Sequence, residues 1–277
     1  MCHLFAVSSN APRTLAPFLD AFAPFAETES PDGWGLAATS AAGTTLVKEP
    51  QSFAVAYREG GFSVLRAAKT SATTLLFHIR ESSVGKHTME NTHPFRRRAF
   101  GKTFLFAHNG TVPDVKKRPL LRFEPGGETD SEYAFLWLLE AMPPYALPRL
   151  SRWLRDAGND IRALGKFNFI LIESDTIWAF ADTALTWCTR VEAPEQSPSA
   201  FEAALAERGR SGSARGVRGG RSAATGVRAQ PAPTTRTLRS ILIATCPFTS
   251  DRGDTWHPLA PGSLIVARRG RVLEVLE

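Results

Sequence analysis

The second residue of the chain is Cys2, which directly follows the initiator Met1. Removal of Met1 would place a thiol and a free α-amine on one residue, with unperturbed pKa values of about 8.5 and about 8. A thiol needs a base to become a nucleophile, and the amine on the adjacent carbon would supply it. The opening dipeptide therefore predicts that Cys2 is an N-terminal catalytic nucleophile.

Cleavage of an amide by a thiol also requires donors for the oxyanion and charged groups that hold the substrate. Asn109 and Gly110 would supply a side-chain amide and a backbone N–H, and glycine lets the chain approach a substrate closely. Arg80 has the fork geometry that binds a carboxylate, and Asp130 would accept from an ammonium group. Together they predict a site for the amino-acid end of glutamine or of a γ-glutamyl compound.

Each of these residues also has an ordinary structural interpretation. Asp130 lies between Thr129 and Glu132 in a capping-box pattern, where an acidic residue stabilises the first turn of a helix. Arg80 would serve in a structural ion pair, and Asn-Gly is a common turn. The functional interpretation therefore depends on these residues occurring together, not on any one of them.

Metal and cofactor chemistry is not indicated. The histidines form no HxH or HExxH pattern, and His78 and His108 are expected to be hydrogen-bonding or packing residues beside the site. Cys188 and Cys246 lie in apolar and aromatic surroundings typical of buried small residues. Three widely spaced cysteines make no disulfide framework, so we expect no metal, no cofactor and a reducing compartment.

The positive charge of the chain is confined to one segment. The net charge is +6, but residues 208–239 contain eight arginines and no acidic residue, which leaves 25 basic against 27 acidic residues elsewhere. Residues 207–237 are mostly Gly, Ser, Ala, Arg, Thr and Pro, which predicts a disordered surface insertion in a single domain spanning 1–277. This segment has no aromatic residue for base stacking, which disfavours nucleic acid as a partner.

No apolar run approaches the roughly 18 to 20 residues of a membrane span, and the start lacks the basic and apolar regions of a signal peptide. We therefore expect no membrane partner and a cytoplasmic location.

Strands and helices must bring the candidate residues together. The runs 2–8, 73–79 and 103–107 are β-type, and the last two end in His-Ile-Arg and His-Asn-Gly. Helices are predicted from about 15 to 25, after Thr129, and over 147–157. Further strands are predicted at 34–39, 44–48, 167–173, 176–181, 185–191, 240–245, 263–267 and 271–276, the last two flanking an Arg-Arg-Gly turn. This order favours an α+β layered domain of two antiparallel sheets with helices outside.

In their order along the chain, the motifs resemble the class II glutamine amidotransferases, which are N-terminal-nucleophile amidohydrolases, and especially the stand-alone YafJ-type subgroup. The motifs are Met1-Cys2, Asp32-Gly33-Trp34-Gly35, His78-Ile79-Arg80, Glu90-Asn91-Thr92-His93-Pro94-Phe95, Ala107-His108-Asn109-Gly110 and Gly127-Glu128-Thr129-Asp130-Ser131-Glu132. Lys166-Phe167-Asn168-Phe169 and Ala244-Thr245-Cys246-Pro247-Phe248 are also similar. His3 and the Arg-rich insertion depart from the family pattern.

The resemblance implies a four-layer αββα sandwich and a cysteine-dependent glutaminase. The implied site residues are Cys2 as processed nucleophile, Asn109 and Gly110 as oxyanion hole, Arg80 and Asp130 as glutamine clamps, and Asn91, Thr92 and His93 in the pocket wall. The enzyme would form a γ-glutamyl thioester, release ammonia or an amine, and then release glutamate. Because the sandwich uses nearly the whole chain, ammonia would pass to a partner protein or to none.

Two alternatives remain. One is hydrolysis of a γ-glutamyl amide in a small-molecule pathway, as in the ergothioneine-pathway member of the superfamily. The other is a catalytically inactive binding protein on the same scaffold.

Overall fold

Thirteen β-strands and four α-helices form the described part of the chain, which comprises residues 2–27, 32–60, 69–81, 86–142, 149–192, 237–247 and 253–277 of a computed structural model. The strands are β1 (His3–Thr14), β2 (Gly33–Ser40), β3 (Gly43–Glu49), β4 (Ser71–Arg80), β5 (Phe95–Ala99), β6 (Lys102–Thr111), β7 (Lys166–Glu173), β8 (Thr176–Phe180), β9 (Thr186–Glu192), β10 (Leu238–Ala244), β11 (His257–Pro258), β12 (Leu264–Arg268) and β13 (Arg271–Leu276). The helices are α1 (Ala16–Glu27), α2 (Phe53–Glu59), α3 (Asp130–Ala141) and α4 (Leu150–Arg162), and a 3₁₀ helix covers Pro113–Lys117.

The strands form two antiparallel sheets. The seven-stranded sheet has the order β11-β9-β10-β1-β4-β2-β3, and the six-stranded sheet has the order β13-β12-β8-β7-β6-β5. In the first sheet β1 lies between β10 and β4, with His3 opposite Ile79. In the second, β6 pairs with the whole length of β7, from Phe104 opposite Glu173 to Thr111 opposite Lys166.

Side-chain alternation along the strands creates the layers, because successive residues of a strand point to opposite faces. Leu4 of β1 and Leu105 of β6 belong to one apolar cluster between the sheets. Phe5 packs instead with α1 and α2, and Phe106 packs with α3 and α4. Both sheets are thus covered by helices on their outer faces, and the predicted four-layer αββα sandwich is confirmed.

The predicted helix after Thr129 is also confirmed, with half of the expected capping box. The Oγ1 atom of Thr129 accepts from the N–H of Glu132 at 3.2 Å, as an N-cap does. The Glu132 carboxylate does not return to Thr129. It accepts instead from the N–H groups of Gly126 and Gly127, at 3.1 and 2.7 Å, and pairs with Arg97. The glycine-containing loop therefore folds back against the start of α3.

Several boundaries differ from the predicted ones. Strand β1 continues to Thr14, so Pro12 lies in a strand and the following helix begins only at Ala16. Strands β4 and β6 extend through Arg80 and Thr111. The motifs His78-Ile79-Arg80 and His108-Asn109-Gly110 therefore lie within the ends of these strands. For β6 the reason is tertiary, since pairing with β7 holds the motif extended. Helix α2 and strand β5 were not predicted.

Two predicted segments fall on residues that the structure does not describe. Helix α4 begins at Leu150 and runs to Arg162, and residues 143–148, where its predicted start falls, lie outside the described ranges. The predicted Arg-rich insertion, apart from Thr237, also lies outside them. Among the described helices, none has the length and apolar character needed to cross a membrane.

Candidate active site

Three of the candidate side chains share the layer between the two sheets. In β1, Leu4 and Ala6 face this layer, and the two-residue repeat places Cys2 on the same side. The same rule, applied to Leu76 in β4 and to Ala107 in β6, directs Arg80 and Asn109 inward. The Cys2 thiol, the Arg80 guanidinium and the Asn109 amide therefore converge at one end of the sandwich, at the ends of β1, β4 and β6.

The Cys2 thiol lies against the backbone that follows β4. Its Sγ atom donates to the carbonyl oxygen of Glu81 at 3.1 Å and accepts from the Glu81 N–H at 3.2 Å. Burial raises the pKa of the Cys2 thiol to about 11, while the positive charges of the amino terminus and of Arg80 act in the opposite direction. The thiol is thus protonated at neutral pH, and a nucleophilic role requires a base.

Asn109 links the two sheets at the site. Its Nδ2 atom donates to the backbone carbonyl of Cys2 at 2.5 Å. A side-chain amide has two N–H bonds, and this contact uses one of them. The amide predicted to serve an oxyanion is therefore held next to the Cys2 thiol, by the backbone of Cys2 itself.

Gly110 sits where no side chain fits. Its φ is 151°, and a Cβ atom there would lie 1.9 Å from the carbonyl oxygen of Lys166 in β7. Glycine therefore allows β6 and β7 to approach closely at the end of the sheet, beside Asn109.

Asn168 positions this end of β6 and was not among the predicted site residues. It is fully buried in β7, opposite Asn109, and its Nδ2 atom donates to the Asn109 carbonyl at 3.1 Å and to Thr183 Oγ1 at 3.0 Å. Its Oδ1 atom accepts from the N–H groups of Asp182, Thr183 and Ala184 at 2.9, 2.9 and 3.2 Å. The signal in the sequence was a lone amide between Phe167 and Phe169 in an apolar strand.

Arg80 is buried and lies beside Asp32. Its Nη1 atom donates to the Asp32 carbonyl at 3.5 Å, and the Asp32 N–H donates to the Arg80 carbonyl at 2.6 Å. Burial lowers the pKa of the Arg80 guanidinium, and the charges of Asp32 and Cys2 oppose that shift. Because the unperturbed pKa of arginine is above 12, the group stays charged beside the thiol.

Asp130 begins α3, and backbone groups already contact both of its carboxylate oxygens. Oδ2 accepts from the Val112 N–H at 2.6 Å, and Oδ1 accepts from the Ser131 N–H at 2.9 Å. These contacts join the carboxylate to the chain just beyond Gly110. Within the described residues, these two hydrogen bonds connect Asp130 with Val112 and Ser131, and neither involves Cys2 or Arg80. Asp130 is therefore fixed to the end of β6 and not to the Cys2 thiol.

His108 connects the same elements from the outer face of the second sheet. Its Nε2 atom lies 3.1 Å from the Lys166 carbonyl, which can only accept, and its Nδ1 atom lies 2.8 Å from Ser131 Oγ. Burial lowers the pKa of His108, and the Asp130 charge opposes this. The ring is therefore neutral, with its proton on Nε2, and it acts as a link between β6, β7 and α3.

The segment of Asn91, Thr92 and His93 is folded by its own side chains. Asn91 donates to the Lys86 carbonyl at 3.0 Å and accepts from the Glu128 N–H at 2.7 Å. Thr92 Oγ1 donates to the Thr88 carbonyl at 2.8 Å. The side chains of Asn91 and Thr92 are thus bonded within the protein.

This segment lies against β2 because Gly35 has no side chain. A Cβ atom at Gly35 would be 2.1 Å from the His93 carbonyl oxygen. The His93 ring lies 4.3 Å from the ring of His78, and both rings are buried, with no hydrogen-bond partner for their nitrogens among the side chains and backbone that the structure describes. Burial lowers the pKa of His78 to about 3 and that of His93 well below its usual range, so both are neutral.

Lys48 fixes the segment from β3. Its ammonium group donates to the carbonyls of Met89 and Thr92 at 2.7 and 2.8 Å, and burial lowers its pKa to about 8.

Within the described ranges, no group of three or more His, Cys, Asp or Glu residues is arranged to hold a metal ion.

Two antiparallel sheets with helices outside, and a cysteine at the start of a central strand, define the N-terminal-nucleophile type of fold. The sequence model of the class II glutamine amidotransferases matches residues 1–206, and the chain belongs to this family. It is 29% identical to YafJ of Escherichia coli over 198 residues, which are 69% of this chain and 76% of YafJ. It is 30% identical over 189 residues to the uncharacterized protein MJ1515 of Methanocaldococcus jannaschii, covering 66% of this chain and 51% of that one.

Solved structures show the same fold. A predicted glutamine amidotransferase from Pseudomonas aeruginosa superposes with a TM-score of 0.62 at 23% identity, over 99% of this chain and 100% of that one. The glutamine phosphoribosylpyrophosphate amidotransferase of Bacillus subtilis gives a TM-score of 0.59 at 12% identity, over 99% of this chain but 48% of that enzyme. The predicted resemblance to the YafJ-type subgroup is confirmed.

Proposed function

We propose that this chain is a cysteine-dependent glutaminase that uses Cys2, freed of Met1, as its nucleophile. The observation that carries the proposal is the convergence of the Cys2 thiol, the buried Arg80 guanidinium and the Asn109 amide at one end of the inter-sheet layer. Family membership supports an amide of glutamine type as the substrate. Apart from water, every chemical group that the proposed hydrolysis requires is present in the chain.

The thiol proton passes to the free α-amine of Cys2, directly or through a water molecule. The thiolate attacks the side-chain carbonyl carbon of glutamine and forms a tetrahedral oxyanion. Collapse breaks the C–N bond, the nitrogen takes the proton held by the amine, and ammonia leaves a γ-glutamyl thioester. Water then hydrolyses the thioester, with the amine again as base, and glutamate is released.

The oxyanion would be held by the second N–H of the Asn109 amide and by the Gly110 N–H. Arg80 would bind the α-carboxylate, and Asp130 would use its remaining lone pairs for the α-ammonium group. The backbone around Asn91, Thr92 and His93 would form the pocket wall.

The destination of the ammonia distinguishes two forms of this proposal. The chain covers 48% of the Bacillus subtilis amidotransferase. In the first form, ammonia passes to an acceptor reaction on a partner protein. Alternatively, the pocket hydrolyses a γ-glutamyl amide other than free glutamine, and an amine leaves in place of ammonia. Both forms have the same nucleophile and clamps.

The test begins with the intact mass of the protein purified from cells, which should lack Met1. A panel of glutamine and γ-glutamyl amides is then scored for release of glutamate. Glutamate release with no loss of Met1 would contradict the proposal, and so would a processed protein that is inert toward every member of the panel.

Turnover should decrease on the acid side of its pH profile. The amine acts as a base only when neutral, and its unperturbed pKa is about 8. Turnover should therefore fall as pH decreases through the titration of this amine, and it should level off above it. A profile of kcat/KM against pH that stays flat across this range would contradict an amine base.

Replacing Arg80 with lysine should weaken substrate binding more than chemistry. Lysine keeps the charge but cannot form two parallel hydrogen bonds with a carboxylate, so KM for glutamine should rise about tenfold or more while kcat changes little. The matched comparison is 4-aminobutanamide, a glutamine analogue that lacks the α-carboxylate. Arg80→Lys should leave its kcat/KM nearly unchanged, and an equal loss on both substrates would contradict the assigned contact.

A further inference from the structure

The end of the sandwich opposite the candidate active site contains a cleft of about 870 Å³, which we call the arginine cleft. It is lined by Asn10, Thr237, Arg239, Arg268, Arg269, Arg271 and Leu273. Asn10 is eight residues beyond Cys2, a span of about 26 Å for extended chain. The cleft is therefore separate from the site of the proposed amide chemistry.

Positive charge is in excess in the arginine cleft. Arg268 and Arg269 both donate to the Asp175 carboxylate, at 2.7 and 2.6 Å. Arg239 and Arg271 are exposed, and neither has a carboxylate partner within the described part of the chain. Four guanidinium groups against one carboxylate leave a surplus of three positive charges.

The hairpin that carries three of these arginines is unfavourable by local rules. Arg268 lies directly opposite Arg271 in the β12–β13 ladder, where like charges repel. Arg269 has a φ of 48°, a left-handed conformation that glycine or asparagine adopts more readily. Such local conflicts in natural proteins concentrate at functional sites.

The backbone frame of the cleft is tightly built. A Cβ atom at Gly270 would lie 2.1 Å from the Arg239 carbonyl oxygen, and the Gly270 N–H donates to Ser8 Oγ at 3.3 Å. Asn10 accepts from the Arg239 N–H at 3.0 Å and donates to the Thr237 carbonyl at 3.1 Å. The β12–β13 turn is thus packed onto β1 and β10, which fixes Arg239 beside the arginines of the hairpin.

We propose that the arginine cleft binds a small oligophosphate anion, such as tripolyphosphate or the triphosphate part of a nucleotide. Guanidinium groups pair with phosphate oxygens through two hydrogen bonds, and a chain of phosphates would neutralise the surplus charge. The volume is in the range of small-molecule pockets. Among its described lining residues there is no aromatic ring on which a base would stack, so recognition is of phosphate groups and not of a nucleic-acid strand.

Calorimetric titration of the full chain with inorganic tripolyphosphate tests this. We expect one-to-one binding that weakens as KCl is raised. The double variant Arg239→Ala/Arg271→Ala should lose about tenfold or more in affinity, since it removes the two arginines without a carboxylate partner. The matched control is Arg98→Ala/Arg152→Ala, which removes the same charge from exposed positions on β5 and α4 and should bind within about twofold of the unchanged protein.

Three results would overturn the proposal. They are absence of binding to the unchanged protein at millimolar tripolyphosphate, an equal loss in the control variant, and binding of a single-stranded oligonucleotide with none of tripolyphosphate.

Deletion of 208–236 separates the cleft from the Arg-rich segment. The shortened chain should keep its affinity for tripolyphosphate, and a loss of affinity would assign binding to the segment and overturn the proposal. Thermal unfolding of each variant checks that it is folded. Glutamate release is not used, so the outcome is independent of the proposed function.

Discussion

Replacing Cys2 with alanine is expected to reduce glutamate release by more than about a thousandfold, because the proposed thioester forms on this thiol. The side chain is half-buried and small, so thermal unfolding should change little. The measurement is glutamate release at saturating substrate, with intact mass used to detect the γ-glutamyl adduct of the unchanged protein.

The control for this variant is Cys246→Ala, which removes the thiol of another half-buried cysteine and should keep full turnover. A second arm tests the amine separately from the thiol. A lysine inserted between Met1 and Cys2 blocks removal of the methionine and leaves the thiol without an adjacent free amine. Full activity in that protein, or undiminished activity in Cys2→Ala, would contradict the mechanism.

Replacing Asn168 with aspartate is expected to lower kcat about a hundredfold with a small change in KM. Aspartate has the same shape and can still accept from the three N–H groups of 182–184. Its second oxygen, however, would face the Asn109 carbonyl, to which the Asn168 amide now donates at 3.1 Å. That carbonyl belongs to the planar peptide whose opposite edge carries the Gly110 N–H, so the change would turn the proposed oxyanion donor away from its position.

The matched control is Thr183→Val, which removes the other acceptor of the Asn168 amide and leaves the contact with Asn109 intact. It should keep turnover within about threefold of the unchanged protein. Alkylation of Cys2 by iodoacetamide provides a readout that needs no oxyanion donor. Asn168→Asp should be alkylated at the normal rate, and parallel losses of alkylation and turnover would mean that the variant disturbs the fold and not the oxyanion site.

Much of the architecture could be predicted from local patterns. The apolar β-type runs 2–8 and 103–107 predicted the strands that the structure shows as β1 and β6. The Thr129 cap predicted the start of α3. Such features depend on neighbours within a few residues, which the sequence contains directly. Helix α2 and strand β5 were missed because packing against Trp34 and pairing with β6, and not local periodicity, hold them.

The sequence by itself therefore determined the residue types of the site, Cys2, Arg80, Asn109 and Gly110, and the layered class of the fold. Only the tertiary structure decided that the Asn109 amide meets the Cys2 carbonyl and that Asn168 supports the same peptide from β7. Only the tertiary structure also placed Arg239 beside the β12–β13 turn. The physical reason is that these contacts join residues from about 30 to more than 100 positions apart, and strand pairing and sheet packing, not local propensity, set their distances.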